Sequence, residues 1–402
     1  MPKPEPSAAR VVVIGGGTAG ICVAARLRRA GLDGVCVLEP SPVHWYQPLW
    51  TLVGGGEAPL SASRRPQSSV TPRGVRWVRD RAVSVDPEER TVLTGDGQQL
   101  PYDALVLAPG VQLNWDRIPG LAQALGREAV SSNYDPEHAG HTWELIRAAR
   151  SGTAVFTMPA GPVKCAGAPQ KIAYLAADYW RKQGVLGDMR VILVLPTASI
   201  FSQPQWAAVL EGVAARYGIE VRYSSELVAV DGARREATIR DNAAGTSEVV
   251  GYDLMHATPP QSAPSWLAGG PLADPASPYG YAKVDKHTLR SPDFPQVFAL
   301  GDAANLPTSK TGAAVRKQAP VAAANLLDAL HGRQPSARYD GYTSCPLVTA
   351  RHKMLLAEFD YELTARPSLP FIDTFRERTD MWLLKRYGLP ALYWRLMLRG
   401  LA

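Results

Sequence analysis

The feature that most constrains this chain is the glycine-rich segment near its start, RVVVIGGGTAGICVAARLRRAG. The apolar run VVVI predicts a buried parallel strand, and the apolar spacing after the glycines predicts a helix. Gly15 permits a tight turn, Gly17 lets the backbone approach a pyrophosphate, and Gly20 allows the helix to pack closely on the strand. The N-terminus of the helix adds the positive end of its dipole. The segment therefore predicts an α/β unit that binds a dinucleotide.

A second apolar segment, VCVLEP, places an acid where a nucleotide ribose would lie. It ends near Glu39, whose carboxylate could accept hydrogen bonds from both ribose hydroxyls. Thr18 and Ala19 lie in the glycine turn and are predicted to contact the same nucleotide. The order of strand, glycines, helix and acid favours a dinucleotide site over an ordinary glycine turn.

Two later segments bear on which dinucleotide is bound. YDALVLAPG ends at Gly110, and PQVFALGDAANLPTSK contains Asp302; each is a predicted buried strand that runs into a turn. They resemble the paired short motifs of flavoprotein reductases that have two dinucleotide-binding domains. That resemblance implies FAD, with Asp302 hydrogen-bonded to the ribityl chain. It also implies that the helix beginning near Gly312 directs its N-terminus at the flavin. The alternative is that Asp302 has only a structural role, as a helix cap or a turn residue.

Residues 151–200 repeat the strand–helix–strand plan with TAVFTMP, KIAYLAADYWRKQG and RVILVLP. In relatives that use a nicotinamide nucleotide, this repeat carries its own glycine fingerprint and a charged residue after the second strand. Here the first turn reads PAGPVKC and the second strand ends in LPT. The prolines remove amide donors that a pyrophosphate would need. We predict a degenerate Rossmann unit without nicotinamide, so electrons must reach the flavin from another donor.

Cysteines are the candidate donors. Four cysteines in 402 residues are too few for a disulfide scaffold, so a functional pair is expected to be reactive. Cys165 lies in the degenerate turn before a helix predicted to begin at Pro169, and the helix dipole and the adjacent Lys164 favour its thiolate. Cys345, in YDGYTSCPLVT, is predicted to lie in a loop and could meet Cys165 over the flavin. The other two cysteines are predicted to be buried core residues: Cys22 and Cys36.

The most distinctive strings in the chain are EPSPVHWYQPLWTLVGGG, VKCAGAPQK, GDAANLPTSKT, YDGYTSCPLVT and AEFDY. Through them, over residues 11–400, the chain resembles the sulfide:quinone oxidoreductases of the type that includes the animal mitochondrial enzymes. The resemblance implies Cys165 and Cys345 as a catalytic pair, FAD bound without a covalent link, and ubiquinone or menaquinone as electron acceptor. With the fingerprint, it predicts FAD contacts at twelve positions: Gly15, Gly17, Thr18, Ala19, Gly20, Glu39, Gln47, Ala82, Gly110, Asp302, Lys310 and Thr311.

The resemblance also implies a reaction cycle. Hydrosulfide attacks the sulfur-bridged cysteines and leaves a persulfide on Cys345, while the sulfur of Cys165 reacts with the flavin. A small thiol or sulfite then removes the persulfide sulfur, and a quinone takes two electrons. The sequence leaves the roles of the two cysteines open. It also leaves two alternative functions, an NADH:quinone reductase of the same superfamily and a non-catalytic flavin-bearing sulfide sensor.

The C-terminal segment MWLLKRYGLPALYWRLMLRG combines basic residues with four aromatic residues: Trp382, Tyr387, Tyr393 and Trp394. This pattern predicts short helices on an anionic lipid surface rather than a nucleic-acid site, although helices packed on the protein's own core or on a partner subunit are the alternative. The first ten residues lack the apolar region of a secretion signal, and no apolar run is long enough to span a bilayer. We therefore expect an intracellular protein attached peripherally to the cytoplasmic face of a membrane, and we allow for a homo-oligomer.

The predicted fold class is α/β, with two Rossmann-like domains and a C-terminal amphipathic helical segment. The FAD domain is discontinuous and comprises residues 1–125 and 280–345. The degenerate domain, which carries Cys165, comprises 126–279. Residues 346–402 form the segment that faces the membrane and the quinone. We expect no metal site.

Overall fold

Two five-stranded parallel sheets, each covered by helices, form the frame of the molecule. This computed structural model describes residues 11–165 and 167–402. The first ten residues, which the sequence analysis assigned to the first domain and searched for a secretion signal, lie outside the described residues. The predicted α/β class with two Rossmann-like units is confirmed.

The first sheet contains the glycine fingerprint. Its central strands are buried along their whole length, as is usual for a parallel sheet covered on both faces. The helix Thr18–Arg29 follows the fingerprint and packs against the long helix Gly312–Leu330. In spatial order the strands are Val297–Ala299, Ala104–Leu107, Val11–Ile14, Val35–Leu38 and Arg76–Val78. A three-stranded antiparallel sheet interrupts this unit with strands Ala82–Asp86, Thr91–Thr94 and Gln99–Pro101.

The second sheet confirms the predicted repeat of the strand–helix–strand plan. Its strands, in spatial order, are Val130–Ser131, Leu254–His256, Gly152–Thr157, Met189–Val194 and Glu220–Arg222. The helices of this unit are Pro136–Ala148, Ala168–Lys182 and Pro204–Arg216. An antiparallel sheet follows it, with strands Ser225–Asp231, Glu236–Asp241 and Thr246–Gly251.

Short elements complete the two units. The paired strands are Val43–Trp45 with Arg64–Pro66 and Gln112–Leu113 with Gln261–Ser262. The short helices are Gln47–Leu49, Trp50–Gly54, Leu60–Ser63, Gln67–Val70, Trp115–Arg117, Leu121–Ala124, Leu186–Asp188, Ser265–Ala268 and Gly301–Ala303.

A β-hairpin, Thr343–Ala350 with Lys353–Phe359, packs on the helix Ala168–Lys182 of the second unit. The expectation that Cys345 lies in a loop is wrong, because this residue pairs with Ala357 inside the hairpin. The domain boundary expected after residue 345 consequently cuts through a strand. The Pro346 that suggested a loop is tolerated because each strand of a two-stranded ribbon has a free edge.

Four short helical turns follow the hairpin: Thr379–Leu383, Leu384–Gly388, Leu389–Arg395 and Met397–Arg399. Trp382, Tyr393 and Trp394 are buried, with exposed fractions of 6%, 2% and 7%. The expectation that these three rings lie at a lipid interface is therefore wrong, because they pack on the protein's own core; Tyr387 is 59% exposed. Within the described part of the chain, no helix combines the length and apolar character needed to cross a bilayer.

Replacing Gly20 with alanine is expected to lower the free energy of unfolding by about 1–3 kcal/mol, as overpacking commonly does. The added methyl group would overlap the carbonyl oxygen of Gly15 and lie 3.0 Å from Val13 Cγ1. Urea unfolding measures the effect.

Gly140→Ala is the matched control. No atom lies within 4 Å of the Cβ position of Gly140, and alanine favours a helix over glycine by up to about 1 kcal/mol. A Gly20→Ala variant as stable as the unchanged protein would contradict the close packing of helix on strand.

Candidate redox site

The glycine fingerprint forms a turn that is crowded on one side and open on the other. A Cβ at Gly15 would overlap the backbone of Ala108, and Gly15 has a φ of +99°, which favours glycine. In contrast, nothing lies within 4 Å of the Cβ position of Gly17. Gly17 is therefore the point where a bulky ligand such as a pyrophosphate can approach the backbone, at the start of the helix Thr18–Arg29.

Glu39 follows the second strand of the first sheet and is held in place by backbone donors. Gly16 N–H donates to its Oε2 and Ser41 N–H to its Oε1, both at 2.8 Å. Burial raises the pKa of Glu39, and these two donors oppose the rise. Each carboxylate oxygen keeps a second lone pair, so the group can still accept from two ribose hydroxyls.

Asp302 and Lys310 lie in and after the turn that follows Val297–Ala299. The fingerprint meets this turn directly, since a Cβ at Gly301 would lie 3.1 Å from Ala19 Cβ. Lys310 Nζ donates to the carbonyls of Asp302, at 2.7 Å, and Ala304, at 3.1 Å. No hydrogen bond from another described residue reaches the Asp302 carboxylate, whose pKa is raised by burial and lowered by the Lys310 and Lys164 ammonium groups. A half-buried carboxylate with free lone pairs suits the hydroxyls of a ribityl chain.

The C-terminal helices complete this region. Tyr393 OH lies 2.9 Å from Thr18 Oγ1 and 2.6 Å from His44 Nε2, and His44 Nδ1 lies 3.0 Å from the carbonyl oxygen of Gly16. Burial lowers the pKa of His44 to about 4, so the ring is neutral near pH 7. Nδ1 therefore carries the proton, Tyr393 donates to His44, and Thr18 donates to Tyr393. The hydroxyl of Thr18 is thus engaged by the protein.

The other predicted contact residues have definite positions as well. Gln47 Oε1 accepts from Lys164 Nζ at 2.8 Å. Thr311 caps the helix Gly312–Leu330 by accepting from Ala314 N–H at 3.0 Å. Gly110 has a φ of +76° and open space at its Cβ position, whereas Ala82 is a buried residue of the antiparallel sheet. These donors, acceptors and open glycines fit FAD, the cofactor that the resemblance implies.

Cys165 has an unusual backbone conformation. Its φ of +52° lies in the left-handed region, which costs a residue other than glycine about 1–2 kcal/mol. Two hydrogen bonds hold it there: Cys165 N–H donates to the carbonyl of Lys310 at 2.9 Å, and Ala168 N–H donates to the carbonyl of Cys165 at 2.7 Å. Strain of this kind is concentrated at functional sites.

Lys171, on the first turns of the helix Ala168–Lys182, contacts the sulfur of Cys165. Its Nζ lies 3.0 Å from Cys165 Sγ, and its side chain is only 1% exposed. Burial would raise the pKa of Cys165, but the charge and hydrogen bond of Lys171, with the charge of Lys385, hold it below its usual value. The sequence predicted that Lys164 would favour the Cys165 thiolate, but Lys164 Nζ instead donates a hydrogen bond to Gln47 Oε1.

Cys345 faces the same helix from the β-hairpin. A Cβ at Gly167 would lie 2.5 Å from Leu347 Cδ2, which shows how closely the loop of Cys165 approaches the strand of Cys345. Burial and the negative charge of Cys165 raise the pKa of Cys345 to about 12, against the opposing charges of Lys171 and Lys385. Cys165 and Cys345, which are far apart in sequence, thus lie close enough for their charges to interact, and the thiol pKa is lowered for Cys165 and raised for Cys345.

Lys385, from the C-terminal helices, is the second buried lysine at this site. Its side chain is 4% exposed, and Nζ donates to the carbonyl of Pro48 at 3.2 Å. Burial and the charge of Lys171 lower the pKa of Lys385 to about 7, although both cysteines and Glu57 act to raise it. Sequence reasoning missed both lysines; the only local signal was a lysine on the apolar helix KIAYLAADYW.

The turn after Gly152–Thr157, where a nicotinamide nucleotide would bind, differs from the fingerprint turn. Gly161 has a φ of +92°, but its Cβ position lies 2.5 Å from Tyr279 OH. The Tyr279 ring therefore occupies the space beside Gly161 where a Cβ would lie, whereas the same space beside Gly17 is open. This arrangement agrees with the prolines and the lack of a second fingerprint in the sequence.

Comparison with known proteins places this geometry in a family. The model of the pyridine nucleotide-disulphide oxidoreductase family matches residues 9–325. The chain is 41% identical to the mitochondrial sulfide:quinone oxidoreductase of Mus musculus, with 97% of this chain and 86% of that protein covered. The chain belongs to the sulfide:quinone oxidoreductase family. It is also 40% identical to the mitochondrial sulfide:quinone oxidoreductase of Dictyostelium discoideum, with the same coverage of both chains.

The fold is shared with a solved member of the sulfide:quinone oxidoreductase family. The structure of the enzyme from Aquifex aeolicus superposes with a TM-score of 0.82 and covers 98% of this chain and 92% of that chain. Sequence identity between the two is 20%, so this likeness establishes the common architecture.

Lys171→Met is expected to raise the pKa of Cys165, because it removes the charge at the sulfur while keeping a similar volume. Since only the thiolate is alkylated, the reaction at neutral pH should slow by about tenfold for each unit by which the pKa rises. Iodoacetamide labelling of the reduced protein over a range of pH, with the label located by peptide mass, measures this.

Lys164→Met is the control, since its ammonium group bonds to Gln47 rather than to the sulfur. Lys164→Met should shift the pH profile of Cys165 labelling less than Lys171→Met does. If the labelling profile of Cys165 were the same with and without Lys171, the assignment of the thiolate to this lysine would fail.

Proposed function

We propose that the protein oxidises sulfide to a cysteine persulfide and transfers two electrons through FAD to a quinone. The observation that carries this proposal is the pairing of the Cys165 thiolate, held by Lys171, with the Cys345 thiol. Membership of the sulfide:quinone oxidoreductase family supports it. The prolines of the turn PAGPVKC and the approach of Tyr279 to Gly161 make NADH a poor alternative electron donor.

The first domain supplies the residues that would hold FAD. The backbone at Gly17 would take the pyrophosphate, Glu39 the adenosine ribose and Asp302 the ribityl chain. When bound, FAD supplies a carrier that accepts two electrons from the cysteine pair and passes them to the quinone. Burial raises the pKa of the Asp302 carboxyl, and the positive charges of Lys310 and Lys164 oppose that rise.

Sulfide enters the cycle at the oxidised pair, in which the two Sγ atoms are joined. Hydrosulfide attacks Cys345 Sγ; a bond to the incoming sulfur forms, the Sγ–Sγ bond breaks, and its electron pair leaves with Cys165. The products are a persulfide on Cys345 and a thiolate on Cys165. Lys171 stabilises that thiolate through its charge and its hydrogen bond.

The two pKa shifts support one assignment of the roles that the sequence left open. In thiol–disulfide exchange the sulfur with the lower pKa is the better leaving group. The pKa of Cys165 is lowered, whereas burial and the neighbouring thiolate raise that of Cys345 to about 12. Cys165 is therefore the leaving sulfur, and Cys345 keeps the persulfide.

The cycle closes when the sulfur acceptor, a small thiol or sulfite, removes the outer sulfur of the persulfide and leaves Cys345 as a thiolate. The two thiolates then re-form the Sγ–Sγ bond, and FAD, when bound, would accept the two electrons that this oxidation gives up and supply them to the quinone. Lys385 can buffer this step, because its pKa of about 7 lets it hold or release a proton near neutral pH. Both buried lysines offset the negative charge that accumulates at the pair.

A quinone is confined to the bilayer, so the protein must touch a membrane, and we propose peripheral attachment on its cytoplasmic face. Exposed apolar residues on the C-terminal helices suit that contact. Their exposed fractions are 48% for Leu383, 59% for Tyr387 and 41% for Leu396. Side chains of this kind lie in the interfacial layer of a bilayer.

Cys165→Ala and Cys345→Ala are each expected to abolish efficient reduction of bound FAD by sulfide. Each variant lacks one half of the disulfide that sulfide must open. Loss of flavin absorbance in anaerobic stopped-flow experiments, with turnover of a soluble quinone in parallel, measures the effect.

Cys22→Ala and Cys36→Ala are the controls, because both thiols are buried in the core with exposed fractions of 1% and 0%. They should leave reduction nearly unchanged. Bleaching of FAD by NADH but not by sulfide would overturn the proposed function, as would full sulfide activity in either active-pair variant.

A further inference from the structure

A groove lined by arginines lies between the fingerprint helix and the C-terminal helical turns. Its walls are the end of the helix Thr18–Arg29, the segment Ser69–Arg73 and the turn Met397–Arg399. It encloses about 370 Å³, which is within the size of small-ligand sites, about 300–1,000 Å³. None of the residues discussed for FAD or for the cysteine pair lines it.

The charge of this groove is one-sided. Four of its ten lining residues are arginines, and none of the ten is acidic: Arg28, Arg29, Arg73 and Arg399. Arg28 is already engaged by Asp33 and by the carbonyl of Leu32. The other three are exposed, and they form no ion pair or hydrogen bond with another described residue through their side chains. Three free guanidinium groups around one concave surface attract an anion.

The groove also has apolar walls and apolar neighbours. Ala25 and Leu398, which are buried, contribute to its lining. Leu396 and Leu401, on either side of the Met397–Arg399 turn, are 41% and 51% exposed. A ligand that is anionic at one end and apolar at the other matches this combination.

We propose that this arginine groove binds the phosphate headgroup of an anionic phospholipid. Guanidinium groups bind phosphate oxygens in a bidentate manner, and the exposed leucines can enter the adjacent acyl region. The inference rests on the proposed function in one respect: a quinone-reducing protein must lie on a lipid surface. It adds a defined site and a lipid preference to that contact.

The test compares the FAD-loaded full chain with the variant Arg29→Gln/Arg73→Gln/Arg399→Gln. Cosedimentation is measured with vesicles of neutral phosphatidylcholine and with vesicles that also contain phosphatidylglycerol. The unchanged protein should prefer the anionic vesicles, and the triple variant should bind them on the order of 100-fold more weakly, since each arginine near an anionic surface contributes a factor of roughly 5. Free inorganic phosphate should compete poorly, because it offers no apolar part.

Two further variants are the controls. Arg127→Gln/Arg147→Gln/Arg235→Gln removes the same charge from exposed arginines of the second unit and should keep the vesicle binding. Arg29→Lys/Arg73→Lys/Arg399→Lys keeps the charge in the groove and should retain most of it. Sulfide turnover with a soluble quinone should be unchanged in all three variants.

Three outcomes would overturn the proposed lipid site. They are equal binding of the unchanged protein to neutral and anionic vesicles, unchanged binding of the groove variant with three glutamines, and an equal loss of binding in the variant that removes arginines from the second unit. Competition by inorganic phosphate at low concentration would show a phosphate site rather than a lipid site and would also overturn the proposal. Vesicle binding needs no turnover. A protein that binds anionic vesicles through the groove but does not oxidise sulfide would therefore contradict the proposed function and leave the lipid site standing.

Discussion

The contact between the Lys171 ammonium group and the Cys165 sulfur is the interaction on which the proposed chemistry depends. A thiolate in a buried site is costly unless a positive charge offsets it, and here the charge lies 3.0 Å away on the helix that follows the cysteine. In the proposed cycle the same charge makes Cys165 a good leaving sulfur, while burial and the charge of Cys165 raise the pKa of Cys345 to about 12. We propose that this one hydrogen-bonded pair gives two chemically identical side chains different roles.

The C-terminal segment is part of the site and not an appendage to it. Tyr393 joins Thr18 of the fingerprint to His44, and Lys385 of the same segment donates to the carbonyl of Pro48. These contacts span most of the chain, so the second lysine of the cysteine pair is in place only when the C-terminal helices are docked. The buried face of the segment serves the protein's core, while its exposed leucines and arginines remain available for a lipid surface. The C-terminal segment therefore contributes to the cofactor site and to the surroundings of the cysteine pair, and it also carries the proposed membrane contact.

Much of the fold could be predicted from the sequence because the patterns that indicate it are local. The fingerprint, the acid at Glu39 and the strand–helix repeats each depend on residues within a short segment, and the structure confirms the elements they predicted.

The site could be predicted only in part. Lys171 and Lys385 are buried through tertiary packing, which leaves no periodic signal, and Lys164 was preferred only because it is adjacent to the cysteine. Cys345 was placed in a loop because proline, glycine and serine weigh against a strand, although a ribbon edge admits them. An amphipathic helix has the same sequence pattern whether its apolar face meets lipid or core, so burial of the C-terminal aromatic rings could be decided only by the structure.

The most direct test of this account is the mass of the peptides that carry the two cysteines. Protein isolated after turnover with sulfide and quinone, then digested without reduction, should yield the Cys165 and Cys345 peptides joined to each other through sulfur. Recovery of the two peptides as separate free thiols, or joined to Cys22 or Cys36 instead, would contradict the convergence of this pair and the chemistry built on it.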